Sequence, residues 1–354
     1  MVAKAELLDQ LEELRKLDRS DMLAVVGRMF EMLKEAAKIN VAFPSLASVT
    51  SVVVAGVGGS GMAGQLALDL LWKKAKVPLY LWGGYGLPEF LGAHTLLVAL
   101  SYSGETEETL SLVKEAGNKN VKVVCITSGG KLKEVAEQKN YPLCLIPKGY
   151  QPRAALPFLL VALLRVLEKA EVVPSFADEI QEASLLLQKL QQEYRPQSPL
   201  RTNPAKQLAK KLLGKTPLIF GSWGTTAAVA LRFKTQLNEN SKVTALYNFF
   251  PELNHNEIVN LSYLKRENHN FFWVLFRDEG DAERIKKRIE ITKSLLVRQL
   301  GGVHEIFSQG KSNLARMFSL IFFGDYVSVY LALLQGIDPT PVESIMRLKK
   351  ELAR

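Results

Sequence analysis

The sequence predicts an α/β protein with two doubly wound parallel-sheet domains preceded by an N-terminal helical cap. From Ser51 onward, short and fully apolar runs end in Gly/Ser-rich turns and are followed by longer helical stretches. This alternation is typical of parallel strands covered by helices on both faces. The order of strand, Gly-Ser turn and long helix occurs a second time further along the chain. The length of 354 residues also suffices for about two domains, each with its own core.

The first 45 residues are predicted to form the helical cap. Residues 5–17 and 22–38 carry charges and leucines at helical spacing, and the NVAFPS segment then ends the second helix. The first 25 residues lack the continuous apolar core and the small-residue cleavage site of a signal peptide. We therefore expect a cytoplasmic protein.

Residues 46–168 are predicted to form the first doubly wound domain. Its expected strands, each with the turn that follows, are SVVVAGVGGSG, VPLYLWGG, TLLVALSYSGE, VKVVCITSGG and YPLCLIP. Residues 156–166, LPFLLVALLRV, are the longest strongly apolar stretch and fall well short of the roughly 20 residues that span a membrane. We expect a buried helix there and no membrane association.

Residues 169–203 are predicted to be a helical linker that closes at RPQSP, and residues 204–354 a second domain of the same type with a C-terminal helix. The segment TPLIFGSWGTTAAVALRFKTQLNEN repeats the order of SVVVAGVGGSGMAGQLALDLL. NFFWVLFRD and GGVHEIFS are expected to supply further strands. This pattern indicates a weak internal duplication of one α/β unit.

Charge and cysteine content argue against several classes of protein. The chain has 45 Lys+Arg against 36 Asp+Glu, but the basic residues are spread out and no basic run with interleaved aromatics occurs. Nucleic acid is therefore not an expected partner, whereas anionic small substrates fit the charge. Cys125 and Cys144 are the only cysteines and form no CxxC pair, so neither a disulfide framework nor a structural zinc site is expected.

A glycine-rich turn follows the first expected strand. Residues 56–61, GVGGSG, satisfy the GxGxxG pattern between a strand and a helix, which is also the pattern of dinucleotide binding. Dinucleotide binding requires an acidic residue at the end of the next strand, and residues 78–84, PLYLWGG, offer none. We therefore disfavour a nicotinamide or flavin cofactor and predict an anion cradle at a helix N-terminus, with Gly59 and Ser60.

Three hydroxyl groups lie within six residues after the expected strand TLLVAL: those of Ser101, Ser103 and Thr106. One hydroxyl would be enough to cap the helix that follows, which is the structural alternative. Three hydroxyls could surround a phosphate with neutral donors, so phosphate binding is favoured. Together with Ser60, they are expected to face one crevice at the carboxyl ends of adjacent strands.

Three further segments suggest chemistry. Arg153 follows two prolines and precedes an apolar helix, which favours a rigidly presented guanidinium over a surface ion pair, the alternative reading. Asn238-Glu239-Asn240 follows the long helix of the second domain. His255 is flanked by two asparagines and two glutamates after a proline-marked turn. A lone histidine is usually structural, but this setting favours a positioned proton carrier.

These motifs, GxGGSG, SYSGETEET, PKGYQPRAA, LNENSK and PELNHNEI, occur in an order that resembles the bifunctional phosphoglucose/phosphomannose isomerase family, which is built from two sugar-isomerase (SIS) domains. The resemblance covers nearly the whole chain. It implies that Glu239 is the catalytic base and that His255 opens the sugar ring across a homodimer interface. It places Arg153 near the developing enediolate. The residues implied to hold the substrate phosphate are Gly59, Ser60, Ser101, Ser103 and Thr106.

The resemblance extends to the C-terminal region. An I-x-x-L-K pattern of the family matches Lys349, with Lys350 adjacent, and implies an active-site lysine. A threonine that lets the family accept the mannose epimer has Thr340 as its nearest candidate. The serine turn departs from many members of the family by carrying Glu105 in place of asparagine, and we expect that side chain to point to solvent.

The resemblance implies aldose–ketose isomerisation of glucose 6-phosphate and mannose 6-phosphate with fructose 6-phosphate, without a metal or another cofactor. Zinc-dependent isomerases need a ligand pair such as HxH, whereas the four histidines here, His94, His255, His269 and His304, are scattered. The isomerase part of a glucosamine 6-phosphate synthase would need a glutaminase domain with an N-terminal cysteine, which we do not expect. A noncatalytic sugar-phosphate regulator is the alternative from another class, but the N-terminal 45 residues lack a basic recognition helix.

Overall fold

The computed structural model describes residues 6–43, 48–265, 267, 270–300 and 302–352. The protein is an α/β protein with two parallel sheets, which confirms the predicted fold class. Its internal contacts divide the chain into two compact units. Unit 1 comprises Met1–Arg28, Leu186–Gln309 and Arg316–Arg354, and unit 2 comprises Met29–Leu185 and Gly310–Ala315.

The N-terminal segment is helical, as predicted, but its helices are shorter. A 3-10 turn at Glu6–Asp9 precedes α1 (Leu11–Leu17). Two helices, α2 (Met22–Gly27) and α3 (Met29–Ala36), replace the single helix that we expected over residues 22–38. The break follows Gly27, where a Cβ atom would come within 2.9 Å of the Tyr326 hydroxyl. The close packing there requires glycine, which is a weak helix former.

Asp18 explains where α2 begins. Its carboxylate is buried and accepts hydrogen bonds from the backbone N–H groups of Met22 and Leu23, at 2.7 and 2.8 Å. A helix N-terminus leaves its first N–H groups without partners inside the helix. The Asp18 side chain satisfies two of them and so separates α2 from α1.

Unit 2 contains a five-stranded parallel sheet in the order β2-β1-β3-β4-β5. All five are the expected strands: β1 (Ser51–Ala55), β2 (Leu79–Trp82), β3 (Thr95–Leu100), β4 (Lys122–Thr127) and β5 (Leu143–Leu145). Helices α4 (Gly58–Leu71), α5 (Glu107–Ala116) and α6 (Gly130–Lys139) follow β1, β3 and β4. The buried helix expected over residues 156–166 is α7 (Leu156–Lys169), which packs against α3 and α4.

The predicted linker region is mostly helical. α8 (Ala177–Tyr194) occupies its middle, and the boundary between the two compact units falls inside this helix. α9 (Pro204–Leu212) begins at a well-formed cap, because the Asn203 side chain accepts from the N–H groups of Ala205 and Lys206. Proline in the first helical position suits that start, since its missing N–H would have no partner there.

Unit 1 contains a four-stranded parallel sheet in the order β7-β6-β8-β9. Its strands are β6 (Thr216–Ser222), β7 (Leu246–Phe250), β8 (Phe271–Arg277) and β9 (Val303–Phe307), and the helices between and after them are α10 (Ala227–Glu239), α11 (Glu257–Ser262) and α12 (Glu283–Leu300). Strands β6, β8 and β9 were expected from the sequence, whereas β7 was not. This edge strand shows neither a continuous apolar run nor a regular alternation of buried and exposed residues.

The most apolar long helix is α13 (Asn313–Leu334), not the shorter stretch singled out in the sequence. By length and composition it could cross a membrane, but its whole most apolar window is buried inside the protein. It carries the charged groups Arg316 and Asp325, which pair with Asp278 and Arg232 at 3.0 and 2.5 Å. Buried charges that are paired in this way are typical of a core helix.

The two cysteines lie on neighbouring strands of unit 2. Cys125 is on β4 and Cys144 on β5, and both are buried and unpaired with one another. Burial raises the pKa of the Cys125 thiol to about 12 and that of Cys144 to about 11. Thiols of such high pKa are poor nucleophiles, so both residues serve packing.

Candidate active site

The unit 2 sheet has a topological switch point between β1 and β3. From β1 the chain moves to β2 on one side, and β3 starts the series of strands on the other side. Ligands of parallel sheets bind at the carboxyl ends of the strands that flank such a point. Two turns lie there: the glycine loop (residues 56–61), which follows β1, and the serine turn (residues 101–106), which follows β3.

The glycine loop leads directly into the N-terminus of α4. No side chain caps this helix, so its first N–H groups are available to a ligand. Gly59 is required by a close approach: a Cβ atom there would lie 2.7 Å from the Pro152 carbonyl oxygen and 3.1 Å from the Arg153 nitrogen. The loop therefore packs against the backbone of the segment that carries Arg153.

The serine turn is held by its own hydroxyl groups. The Ser101 side chain is buried, lies 2.7 Å from the Thr106 hydroxyl and accepts a hydrogen bond from the Gly104 N–H at 3.1 Å. Ser103 accepts from the Glu105 N–H at 3.2 Å. Thr106 occupies the N-cap position of α5, but its side chain makes no capping hydrogen bond. The simple capping alternative therefore does not explain these hydroxyls.

The two turns are in direct contact. The Ser60 hydroxyl, which is buried in the glycine loop, accepts a hydrogen bond from the Tyr102 N–H at 3.1 Å. Ser60 and the serine turn thus lie at one place on the sheet, as the sequence predicted from the adjacency of their strands. The result is a cluster of hydroxyl groups, buried at Ser60 and Ser101 and partly exposed at Ser103 and Thr106, beside two helix N-termini that no side chain caps.

Glu105 does not contribute negative charge to a buried pocket. Its side chain is about half exposed and lies 3.5 Å from the Lys131 ammonium group. It also accepts a hydrogen bond from the Lys131 N–H at 3.0 Å, in the first turn of α6. The carboxylate is at the surface, as expected, and is neutralised there by a lysine and a helix N-terminus.

Arg153 is only 3% exposed, so the reading of it as a solvent-exposed surface pair is wrong. It lies within a tight turn in which the Ala154 N–H donates to the Gln151 carbonyl oxygen at 2.8 Å. The close contact of Gly59 with Pro152 places this turn beside the glycine loop. The guanidinium is therefore presented from a constrained segment of unit 2.

Glu239 lies in unit 1, at the last position of α10, and is half-buried. It lines a cavity of about 740 Å³. The other lining residues come from the end of α10 and the segment after it, and from the segment that leads into α14 (Glu343–Leu352) together with the first turn of that helix: Asn238, Lys242, Val243, Thr244, Ile337, Asp338, Pro341, Val342, Glu343, Ser344 and Ile345. A carboxylate that opens on a cavity of this size has the setting of a general base.

Buried side chains anchor the residues next to Glu239. Asn240 donates to the Ser328 hydroxyl at 2.9 Å, and the Ser241 hydroxyl donates to the Ser328 carbonyl oxygen at 2.6 Å. Gln335 donates to the Ser241 carbonyl oxygen at 2.8 Å. Ser328 and Gln335 both belong to the region of α13, and the sequence analysis did not single them out. The only signal in the sequence is the run of polar residues at the end of α10, whose side chains require hydrogen-bond partners if they are buried.

Lys242 connects the end of α10 to the other wall of the cavity. Its ammonium group donates to the carbonyl oxygens of Glu239 at 2.6 Å and Asn240 at 3.3 Å, and also to that of Pro339 at 3.3 Å. A lysine suits this position, because the last carbonyl groups of a helix attract cations. Lys242 belongs to the LNENSK motif, but nothing in the sequence indicated this role for it.

His255 ends a 3-10 turn, Glu252–His255, that follows β7 in unit 1, and it is exposed. Its neighbours hold the turn: Asn256 donates to Glu252 at 2.8 Å and Asn254 to the Thr292 hydroxyl at 2.9 Å. The flanking asparagines therefore fix the backbone and leave the imidazole at the surface.

The C-terminal candidates lie in different environments. Thr340 is buried, and its N–H donates to Asp338 at 3.0 Å within the segment that borders the Glu239 cavity. Lys349 and Lys350 are both exposed on α14 and do not line that cavity. Thr340 thus lies between the lining residues Asp338 and Pro341 in sequence but does not itself line the cavity, and the structure does not distinguish between the two lysines.

Within the described ranges, no three His, Cys, Asp or Glu side chains are grouped as metal ligands would be. His94 is exposed, and His304 is partly buried on β9, where burial lowers its pKa to about 4. His269 lies outside the described residues.

Comparison with known proteins gives matches to both halves of the chain. Residues 45–150 match the SIS domain family, and residues 201–352 match the bacterial phospho-glucose isomerase C-terminal SIS domain. The bifunctional phosphoglucose/phosphomannose isomerase of Caldicellulosiruptor bescii is 45% identical over 86% of this chain and 90% of its own length. The protein of the same name from Aquifex aeolicus is 37% identical over the same shares.

A solved structure also resembles the whole chain. The crystal structure of a hypothetical protein from Thermus thermophilus superposes with a TM-score of 0.74 at 18% sequence identity. The match covers 99% of this chain and 94% of that protein. At this level of identity the likeness shows a shared fold.

Proposed function

The chain belongs to the bifunctional phosphoglucose/phosphomannose isomerase family, and on that basis we propose that it interconverts glucose 6-phosphate and mannose 6-phosphate with fructose 6-phosphate. The reaction is a metal-independent proton transfer through a cis-enediol or enediolate. The observation that carries the proposal is the extensive identity to relatives of that name over most of the chain. The arrangement of unit 2 and of the Glu239 cavity supports it.

The substrate phosphate is assigned to the switch point of unit 2. Hydroxyls and uncapped N–H groups at the starts of α4 and α5 are neutral donors that bind phosphate oxygens well. Gly59 contributes by allowing the loop to lie close to its neighbour. The assigned residues are Gly59, Ser60, Ser101, Ser103 and Thr106.

The proton chemistry is assigned to charged side chains. Isomerisation moves a proton between C1 and C2 of the sugar, which needs a base on one face of the enediolate. Glu239 is that base, since its carboxylate opens on a cavity. The Arg153 guanidinium stabilises the negative charge that develops on the enediolate oxygen. His255 opens the sugar ring, with Lys349 as a second proton-transfer or charge-stabilising group.

Thr340 is assigned to epimer selection. It lies in the segment that borders the Glu239 cavity and is held by the contact of its N–H with Asp338. Thr340 is buried and does not itself line the cavity, so we assign it to setting the position of the lining residues on either side of it and, through them, the acceptance of the mannose epimer.

We also propose that the enzyme is a cytoplasmic homodimer in which His255 serves the partner's site. His255 is exposed, and large apolar side chains near it in sequence are exposed as well, among them Leu246 on β7 and Val259 and Tyr263, on and just after α11. Exposed apolar groups of this kind mark an interaction surface. The two buried, reduced cysteines suit a reducing compartment.

The test is a coupled assay in excess chelator. Conversion of fructose 6-phosphate to glucose 6-phosphate is followed with mannose 6-phosphate run in parallel. Turnover of both substrates is expected. Turnover of fructose 6-phosphate to glucose 6-phosphate alone would restrict the enzyme to phosphoglucose isomerisation, and no turnover with intact sugar-phosphate binding would favour a noncatalytic regulator.

A further inference from the structure

Tyr102 lies between Ser101 and Ser103, two residues assigned to the substrate phosphate. Its hydrogen bonds reach three loops other than its own. The residue is 6% exposed. Its N–H donates to Ser60 in the glycine loop at 3.1 Å. Its carbonyl oxygen accepts from both the N–H and the hydroxyl of Ser128, at 3.0 and 2.7 Å. The backbone of Tyr102 thus joins the loops that follow β1, β3 and β4.

The side chain reaches a fourth loop, the one that follows β5. The phenol hydroxyl donates to the Pro147 carbonyl oxygen at 3.1 Å and accepts from the Tyr150 N–H at 2.9 Å. It therefore bridges the two ends of a turn at Lys148-Gly149, where Gly149 has a left-handed φ of 98°. Burial raises the pKa of the Tyr102 hydroxyl, so it stays protonated and keeps its donor role.

The bridged turn leads directly to Arg153. Only Gln151 and Pro152 separate Tyr150 from Arg153, and the Gln151 carbonyl oxygen accepts from the Ala154 N–H at 2.8 Å. The same segment packs on Gly59. The position of the Arg153 backbone therefore depends on two contacts, one with the glycine loop and one through the Tyr102 hydroxyl.

We propose that Tyr102 is a positioning residue that couples the phosphate-binding loops to Arg153 through its hydroxyl bridge to Pro147 and Tyr150. The inference rests on the proposed function, in which Arg153 stabilises the enediolate. A phenylalanine would fill the same volume but leave one donor and one acceptor of the turn without their partner. The Tyr102 backbone contacts with Ser60 and Ser128 would remain. The bridge can therefore be removed separately from the phosphate site.

The test is Tyr102→Phe in the full-length enzyme. We expect kcat to fall roughly tenfold, because a small displacement of a catalytic group has a large effect on rate. KM for fructose 6-phosphate and the inhibition constant of inorganic phosphate should stay within about twofold, since the phosphate donors are retained. Tyr141→Phe is the matched control, because Tyr141 packs against the core of the same unit and lies outside these loops. It should change none of these constants.

A double-variant cycle separates the possible failures. Tyr102→Phe should cause little further loss of kcat in an Arg153→Ala background, since the two residues act as one unit. Equal losses in both backgrounds, or a Tyr102→Phe variant with unchanged kcat, would overturn the inference. A parallel loss of phosphate affinity and melting temperature would show a merely structural role and also overturn it. If Arg153→Ala alone leaves kcat unchanged, Arg153 does not stabilise the enediolate. The proposed function of Arg153 is then wrong, and Tyr102 cannot act on the reaction through it.

Discussion

Glu239 is a half-buried carboxylate at the end of α10, and its replacement by glutamine tests its role as the base. Glutamine keeps the shape of the side chain but cannot accept the proton. Glu239→Gln should therefore lower kcat by roughly 10²- to 10⁴-fold and abolish exchange of solvent deuterium into the product. Inorganic phosphate should bind as before, because its assigned donors belong to unit 2. Near-normal turnover by this variant would show that another group is the base.

Ser60 offers a test of the phosphate assignment. Its hydroxyl lies where the glycine loop meets the serine turn. Ser60→Ala removes one neutral donor and should weaken the binding of inorganic phosphate roughly five- to tenfold, the usual effect of one lost hydrogen bond. Isothermal titration with phosphate measures this change. The control is Ser111→Ala, which removes a hydroxyl that bonds to Glu115 on α5, away from both turns in sequence; equal effects of the two substitutions would contradict the assignment.

The candidate site was predictable from sequence where its residues form local motifs. The glycine loop and the serine turn are continuous segments, and the adjacency of their strands follows from the pattern of apolar runs. The residues that support the site are different. Asn240 and Ser328 are 88 positions apart and meet only because α13 packs beside the end of α10. No periodicity or spacing in the chain indicates such a contact, which depends on tertiary packing.

At the scale of single elements, the start of α2 depends on Asp18. Asp18→Ala should lower the free energy of unfolding by about 1–2 kcal/mol, because two helix N–H groups lose their acceptor. Asp18→Asn should retain most of this stability, since asparagine caps helices nearly as well. Chemical denaturation of both variants at neutral pH measures the difference. Equal losses in the two variants would mean that the charge, and not the cap, stabilises this helix.

The same residue gives a dependence of stability on pH. Burial raises the pKa of the Asp18 carboxyl above its usual 3.8, although two backbone hydrogen bonds oppose the shift. The folded protein therefore holds this proton more tightly than the unfolded chain does. This contribution to stability is present at low pH and is lost as the pH rises through the pKa of the folded state. The free energy of unfolding of the wild type, minus that of Asp18→Asn, should fall over this range; an increase would contradict the assignment.

A strand could be predicted from the sequence when most of its residues are buried, because burial gives it a continuous apolar run. β3 is buried over its whole length, so its apolar run stands out. β7 lies at the edge of its sheet, with Asn248 in the middle and Leu246 exposed, and its pattern is indistinct. The helices of the N-terminal segment were predicted by periodicity, but their breaks were not. Those breaks arise from one carboxylate cap and one close contact with a distant tyrosine.

At the scale of the whole molecule, the decisive question is whether two chains share one site. His255 follows the edge strand β7 and is exposed, whereas Glu239 opens on a cavity of its own unit. If the partner chain supplies His255, each site combines Glu239 of one chain with His255 of the other. Glu239→Gln and His255→Ala then remove groups that one site takes from different chains. A mixed dimer of the two variants then contains one site with both residues intact and one site with neither.

Mixed dimers can be isolated by carrying a different affinity tag on each variant. We expect them to show about half the activity of the wild-type dimer, because one of two equivalent sites is complete. Each parent variant alone should be nearly inactive in the assay with cyclic fructose 6-phosphate. If His255 acts on the Glu239 of its own chain, every site in the mixed dimer lacks one group and no activity returns. Sedimentation of the wild type as a monomer would likewise rule out the shared site, since an exposed His255 could then reach substrate only within its own chain.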